Sequence, residues 1–555
     1  MNAFVAQRLR RLRSLAVQSL FAALALRLFC AVSAQETPQA LPSFEELEAA
    51  GAIVGEVRIV NRDIFDTDDP KENNLLFRAA NALHIQTGAG VIKRALLFKS
   101  GDRLSVRVID ETERILRSTR YLYDVKFRPV AYHDGVVDID VETRDTWSLD
   151  PGISASRSGG ANSSGIQLKE YNLLGTGMAV SYGRSNTVDR SSNEFVFANE
   201  RAFGTWTALS YSHALNNDGR LDSISVVRPF YALDARWTAG VTALKDNRID
   251  SIYNAGNIAS QYRHHQEKGE VFGGWSPGLI NGWVQRYSLG VSLLDDTYAL
   301  EPGRAPPAEL PPDQKLVAPF VRYELVEDHY QRLQNRNQMG RPEFFALGFA
   351  STLQLGYATT ALGSSQDALV YSGTVSQGFE PGPEQTLIGT TTITGQYAGG
   401  HVQRQQFGGQ GQYYLPHNRR WLFYAAASGD MLTNPDPGQT LQLGGDNGLR
   451  GYPLRYQSGD RRLLFTVEER GYTDLFIFRL FRIGGAVFFD TGHAWGGTNV
   501  NTVNPGWLRD AGFGLRIVSV RSAFANVLHM DFAFPLDPTA DIKKVQFLVK
   551  TKASF

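Results

Sequence analysis

From Trp147 to the last residue, roughly 400 residues alternate between apolar and polar or small side chains, with no helical periodicity. This constrains the fold more than any other feature. In 483–492, Ile483, Val487, Phe489 and Thr491 point one way; Gly484, Ala486, Phe488 and Asp490 point the other. In 510–518, Ala511, Phe513, Leu515 and Ile517 oppose Gly512, Gly514 and Arg516. At the end of the chain Val545, Phe547, Val549, Thr551, Ala553 and Phe555 oppose Gln546, Lys550, Lys552 and Ser554. No uncharged apolar run approaches the roughly 18–20 residues of a spanning helix. In lipid only helices and closed barrels satisfy their backbone groups, so strands of this texture predict a closed barrel with an apolar outside and a wet lumen. The count of candidate strands predicts sixteen to twenty.

Turn signals support this. The segments 172–175, 202–206 and 232–237 recur about every 30 residues, the spacing of one hairpin of two membrane-crossing strands. Phe203, Trp206, Tyr231, Trp237, Trp275, Trp283 and Trp421 fall at such turns, where an interfacial aromatic girdle would lie. Glycine at 54 and aromatics at 11% of 555 residues suit strands and turns.

The N-terminal 150 residues read differently. Residues 1–34 predict a secretory signal: Arg8, Arg10, Arg11 and Arg13 precede an apolar stretch, and 31–34 offers small residues for cleavage. Cleavage there leaves 51 of the 56 basic residues against all 56 acidic ones and removes Cys30, the one cysteine. No disulfide, thiol chemistry or cysteine metal site is then expected. The charge balance argues against a nucleic-acid partner. Residues 35–51 read as a polar linker. Residues 52–146 read as a small β-α-α-β-β domain, with strands at 54–60, 125–132 and 136–143 and helices at 74–86 and 104–120. Asp134-Gly135 marks the hairpin between the last two strands. Its expected core is Val57, Ile59, Val108, Ile115, Leu116, Val125, Phe127, Val137 and Ile139, with Leu75, Leu76, Ala79, Ala80 and Leu83 on the first helix's apolar face.

Motifs for catalysis are missing. Gly274-Trp275-Ser276-Pro277-Gly278 fits the letters of Gly-x-Ser-x-Gly, but no helical pattern follows it, as a nucleophile elbow requires. Residues 444–448 lack the Lys-Ser/Thr of a phosphate loop. Asp63, Asp66, Asp68 and Asp69 lack the glycine a calcium loop needs. His264 and His265 point to opposite faces of one strand. The expectation is a chain with no catalytic residues, metal or cofactor.

Two segments stand out: Leu449-Arg450-Gly451-Tyr452 in a long loop, and Phe488-Phe489-Asp490-Thr491-Gly492 on a strand facing the lumen. Together they resemble the BamA/TamA-type outer-membrane translocator superfamily (the bacterial surface antigen family), whose hallmarks are a hydrophobic-Arg-Gly-aromatic loop tetrad and a Phe-x-Asp-x-Gly strand. The 52–146 segment is similar to that family's polypeptide-transport-associated domain, here present once. The resemblance implies a transmembrane antiparallel β-barrel at 147–555 behind one periplasmic domain, in the outer membrane of a Gram-negative bacterium. It further implies that the loop folds into the barrel and Arg450 meets Asp490, with Gly451 allowing close approach and Tyr452 stacking on the wall. Parity turns Asp490, Phe488 and Glu468 inward, which makes Glu468 a second partner; Gly492 completes the strand motif. Partners implied are unfolded outer-membrane or secreted polypeptide clients, the lipid bilayer, and the cell's own barrel-assembly machinery, which would read Phe555 and Phe547. The residues themselves leave open a passive pore or a structural surface antigen. The seam between 149–157 and 545–555 is expected to pair weakly, because the first of these strands is rich in Ser and Gly and the last carries lysines.

Overall fold

A computed structural model of the chain describes residues 41–497, 506–523, 526–540 and 542–552. The expected signal at 1–34 and the terminal Phe555 lie outside the described residues. The chain gathers into two compact units. Among the described residues the smaller draws on 41–57, Ser100–Val106 and Arg128–Asp140, and the larger on Arg58–Lys99, Arg107–Phe127 and those from Val141 on.

In the smaller unit, the segment read as a polar linker carries a short helix, Phe44–Ala49. A capping box fixes its start: Ser43 Oγ accepts from Glu46 N at 3.3 Å and Ser43 N donates to the Glu46 carboxylate at 2.8 Å. Leu47, Val54, Leu104, Val137 and Ile139 are buried in this unit.

Three strands run in the order Ile53–Arg62, Val136–Asp145, Leu122–His133. Asp134 and Gly135 have φ of 52° and 77°, the pair of left-handed residues that a two-residue hairpin matching strand twist requires. In the helix Val106–Ser118 the fully buried row is Ile109, Thr112 and Leu116; the expected Val108 and Ile115 are half-buried. Val57, Ile59 and Phe127 are also only half-buried. The helix Leu75–Leu83 departs most from expectation. Phe77 is its buried residue, stacked on Phe65 with centroids 3.9 Å apart, while Leu75, Leu76 and Leu83 are 78%, 67% and 75% exposed. At about 100° per residue, seating the large Phe77 ring swings the leucine stripe outward. A further short helix, Ala89–Lys93, follows.

The larger unit is dominated by a closed antiparallel barrel. Among the described residues twenty strands complete the circuit, and a two-residue strand, Leu279–Ile280, pairs at the foot of Trp283–Leu300. Alternation along the strands is alternation across the wall. Val487 is 57% exposed and Phe488 5%; Phe513 is 52% exposed and Arg516 0%. The first strand, Leu149–Ser158, starts at the end of the barrel where the chain enters, called here the near end. The predicted aromatic turns all fall there. Trp237, Trp275, Trp283 and Trp421 are at least one-third exposed, and Trp206 stacks on Tyr231 at 4.2 Å. The wall is uneven in height. Trp237–Asn254, Asn257–Trp275 and Trp283–Leu300 have 18, 19 and 18 residues. The first strand has 10, and the last has 7 among the described residues. A tilted membrane crossing takes about 9–11 residues, so the strands of the tall side are well beyond that length. No helix among the described residues is long and apolar enough to cross a membrane.

Candidate functional site

Between strands Trp421–Thr433 and Arg461–Ile477 the far-end loop forms a narrow neck and then enters the lumen. The neck is a two-stranded ladder, Leu441–Leu443 with Gln457–Gly459. Its packing explains why the loop turns inward. Leu443, Leu449, Tyr452 and Tyr456 are at most 2% exposed and cluster with Ala494, Leu508 and Ile542. A loop so apolar in water would lose that burial, which is worth about 1.5–3 kcal/mol for each large side chain. Gly492 makes room for the neck, since a Cβ there would lie 2.9 Å from the Leu463 carbonyl oxygen and 3.2 Å from Leu443.

Arg450 sits at the tip, 6% exposed. Its Nε donates to Asp490 Oδ2 at 2.6 Å and its Nη2 to Asp490 Oδ1 at 2.9 Å, a bidentate pair. Nη1 donates to Glu468 Oε1 at 2.9 Å, and Asp531 Oδ2 lies 3.7 Å from the same nitrogen. The guanidinium carbon lies 3.4 Å from the Phe488 ring centroid. Two carboxylates, a third nearby and an aromatic face thus enclose one cation. Arginine's planar fork fits this as a lysine's point charge would not. The structure therefore brings Arg450, Glu468, Phe488 and Asp490 to one place. Strands Arg461–Ile477, Phe481–Trp495 and Val527–Pro535 supply the wall groups.

Gly451 and Tyr452 extend the contact. Gly451 N donates to Asp510 Oδ2 at 2.9 Å, and a Cβ on Gly451 would lie 2.7 Å from the Asp510 Cβ. Only glycine fits. The Tyr452 hydroxyl donates to the Arg509 carbonyl at 3.0 Å, and the ring lies 6.0 Å from that of Tyr456. Lys550 Nζ on the last strand donates to the Gly445 carbonyl at 3.0 Å, and Leu454 N donates to the Gly159 carbonyl, in the turn after the first strand, at 3.3 Å. The loop therefore touches both sides of the barrel closure. A cavity of about 190 Å³ remains between it and the last strand, lined by Tyr424, Glu468, Arg470, Asp531, Lys550 and Lys552 among others.

At the closure itself one register pair, Val549 opposite Arg157, joins the last strand to the first among the described residues. Its neighbours are fuller. Gln546–Lys552 pairs with Val527–Pro535 from Ala533–Gln546 to Val527–Lys552, and the first strand pairs with Ala161–Glu170 along its whole length. Phe547 faces outward, its ring 4.9 Å from Phe532.

Asp510, Asp531, Arg470, Arg516 and Lys550 also belong to the site, and the motifs did not point to them. Their signal was parity: each lies on the inward face of its strand, in cross-strand rows such as Asp490–Asp510 and Gly514–Asp531. Among the described residues no group of three or more His, Cys, Asp or Glu is placed to hold a metal.

No family model matches this chain, and no curated protein does. Among solved structures, BamA from Haemophilus ducreyi lacking POTRA domains 1–3 is 13% identical, over 89% of this chain and 84% of that one, with a TM-score of 0.40. CdiB from Acinetobacter baumannii is 12% identical, over 90% and 74%, with a TM-score of 0.42. CdiB from Escherichia coli is 12% identical, over 90% and 76%, with a TM-score of 0.45. Likenesses of this size do not bear on what the chain does.

Proposed function

We propose that this chain is an outer-membrane translocation factor of the BamA/TamA type, which inserts or exports unfolded polypeptides without catalysing a reaction. The observation that carries the reading is the loop arginine seated bidentate on a wall carboxylate inside a closed barrel, Arg450 on Asp490. The tetrad 449–452 and the strand motif 488–492 supply both partners, and their order along the chain is the family's order. The apolar outer face and near-end aromatic girdle support residence in the outer membrane of a Gram-negative bacterium. Residues 52–146 then form a single transport-associated domain in the periplasm, preceded by a cleaved signal. Phe555 and Phe547 serve as the chain's own assembly signal.

The mechanism is mechanical. A client strand arrives by pairing with an exposed strand edge of the small domain. It then enters at the seam, where one register pair joins the two strands among the described residues and the first strand offers Ser154, Ala155, Ser156 and Ser158 for cross-strand contact. The Arg450 anchor holds the loop against the wall on the side of the barrel where the seam opens. A lumen occupied by this loop favours a gated route over a permanently open pore.

Depletion of the chain in its host, read by proteomics of the outer membrane, tests the client class. Loss of particular barrels or secreted proteins supports the proposal. An unchanged outer membrane, with only small-solute permeability altered, makes a passive pore the better account. Cysteines installed across the seam test the route: locking it should abolish client insertion, and insertion at the normal rate in the locked protein would replace lateral entry with export through the lumen.

A further inference from the structure

A second segment enters the lumen, from the near end. Between strands Gln314–Glu327 and Ala350–Ala358 the chain makes a hairpin, Tyr330–Gln334 paired with Pro342–Ala346. It is not a solvated turn. Met339 at its tip is 3% exposed, and Phe345 and Leu347 are 8% and 0%; they pack on Tyr414, Tyr424 and Tyr472 of three barrel strands. The tip is wound around one carboxylate: the backbone N–H groups of Arg336, Asn337 and Gln338 donate to Glu343 at 3.0, 3.1 and 3.2 Å. That fixes where the Arg336 carbonyl points. It accepts from Arg470 Nη1 at 3.1 Å.

Arg470 joins this hairpin to the loop anchor. Its Nε donates to Glu468 Oε2 at 2.9 Å, and the other oxygen of the same carboxylate accepts from Arg450 at 2.9 Å. Its guanidinium carbon also lies 3.7 Å from the Tyr424 ring centroid. Arg450, Glu468, Arg470 and Arg336 are 6%, 5%, 3% and 6% exposed, so water offers little substitute for any link. On its outer side the hairpin is held by residues of the N-terminal region. Arg341 Nη2 donates to the carbonyls of Arg117 and Leu122 at 3.3 Å, and the Arg114 guanidinium carbon lies 3.7 Å from the Tyr330 ring centroid.

We propose that the 330–346 hairpin is a near-end gate coupled to the far-end loop through Arg470 and Glu468, so that an unfolded polypeptide displacing the hairpin loosens the Arg450 anchor. The proposal rests on Arg450 being that anchor and adds its regulation. Arg470 is a positioning residue: it orients Glu468 for Arg450, and the hairpin carbonyl orients Arg470. When the hairpin leaves, the Arg470 guanidinium loses that acceptor in a buried site and must reorient, and the carboxylate it holds moves with it. Coupling then needs no continuous motion of the wall, only two arrangements of a few side chains.

The test uses the full chain in proteoliposomes, with Cys30→Ser and a reporter, Asn447→Cys, on the loop tip. The rate of maleimide labelling at 447 reads how firmly the loop is seated. Arg450→Ala should speed labelling roughly a hundredfold or more, and Arg470→Met and replacement of 330–346 by a short turn should each speed it several-fold. The two together should do no more than the larger alone, because they break one path. If deletion blocks barrel assembly, seen as lost heat-modifiable gel mobility, Phe345→Ala loosens the hairpin by packing alone and takes its place. Labelling at the wild-type rate in both Arg470→Met and the hairpin variant, with Arg450→Ala fast, overturns the coupling and leaves the anchor standing. Wild-type labelling in Arg450→Ala overturns the anchor itself. Strictly additive effects of Arg470→Met and the hairpin variant also overturn the coupling.

Discussion

Two segments fill this lumen from opposite ends, and they are held by different physics. The far-end loop carries an apolar neck, but its tip is fixed by charge: one arginine among Asp490, Glu468 and Asp531. The near-end hairpin is fixed by an apolar cluster of Met339, Phe345 and Leu347 on wall tyrosines, with neutral acceptors bonded beside it: the Arg336 carbonyl accepts from Arg470 and the Asn337 side-chain oxygen from the Tyr414 hydroxyl. Charge gives direction and register, and fails abruptly when one partner leaves. Apolar packing is tolerant and fails gradually. A loop that must sit in one place or be released suits the first; a flap that must yield to a passing chain suits the second.

The sharpest way to break this comparison is Arg450→Ala. It strips Asp490 of its bidentate partner in a buried site, while Glu468 keeps Arg470 and Asp531 keeps Arg516; about 3–5 kcal/mol of loop seating is expected to be lost. Protease cleavage within 444–456 should become fast, while the coupled hairpin loses protection to a much smaller degree. Equal protection of the loop in the variant would mean that the neck packing, not the charge, seats it.

Leu347→Ala should produce the mirror image. The side chain is fully buried, so about 2–4 kcal/mol of hairpin seating is at stake, with little sensitivity to salt. Limited proteolysis at 335–341 across a range of ionic strength checks this; a strong salt dependence would place the hairpin in the ionic class with the loop.

Gly451→Ala forces a methyl into the Asp510 Cβ and the Pro535 nitrogen at 2.7 and 3.0 Å. About 1–3 kcal/mol of overpacking is expected, displacing the loop tip without removing any charge. Crosslinking of tip to wall should fall, though less than in Arg450→Ala. A fall as large would shift credit from charge to fit.

The smallest effect expected is one of pH at the hairpin. Burial pushes the Glu343 carboxyl up, against the opposing pull of the Arg336, Gln338 and Asn337 N–H donors. A carboxyl raised on folding contributes stability that is fully present below its ordinary pKa of about 4.5 and fades as pH rises through the raised value. Hairpin protection should therefore be modestly greater near pH 5 than near pH 7, and Glu343→Gln should flatten the profile. A profile rising toward neutral pH would reverse the assignment.

Much of the site was legible because period-2 alternation sorts residues before any fold is known. Parity alone set Glu468, Phe488, Asp490, Gly512 and Arg516 on the inner face, and the loop motif named Arg450, Gly451 and Tyr452. What parity omits is height. It does not say that Asp510 stands level with Asp490, or that Asp531 reaches the same guanidinium, because level is set by stagger between neighbouring strands. The same limit hid the hairpin. Nothing local in residues 330–346 says that Phe345 finds Tyr414 across the lumen.

In the N-terminal region the apolar stripe of Leu75, Leu76 and Leu83 indicated a helix but not its rotation. Phe77 found Phe65 and turned the stripe to solvent, a choice made by one ring against another. The sequence by itself determined that these strands close into a barrel with an apolar outside, since backbone groups in lipid allow no other use of alternating strands. Tertiary structure alone decided which inward residues meet, and that two segments from opposite ends meet the same Glu468–Arg470 pair, one through each partner. Those outcomes depend on shear and long-range packing, which bring together residues more than a hundred positions apart and leave no mark on any local window.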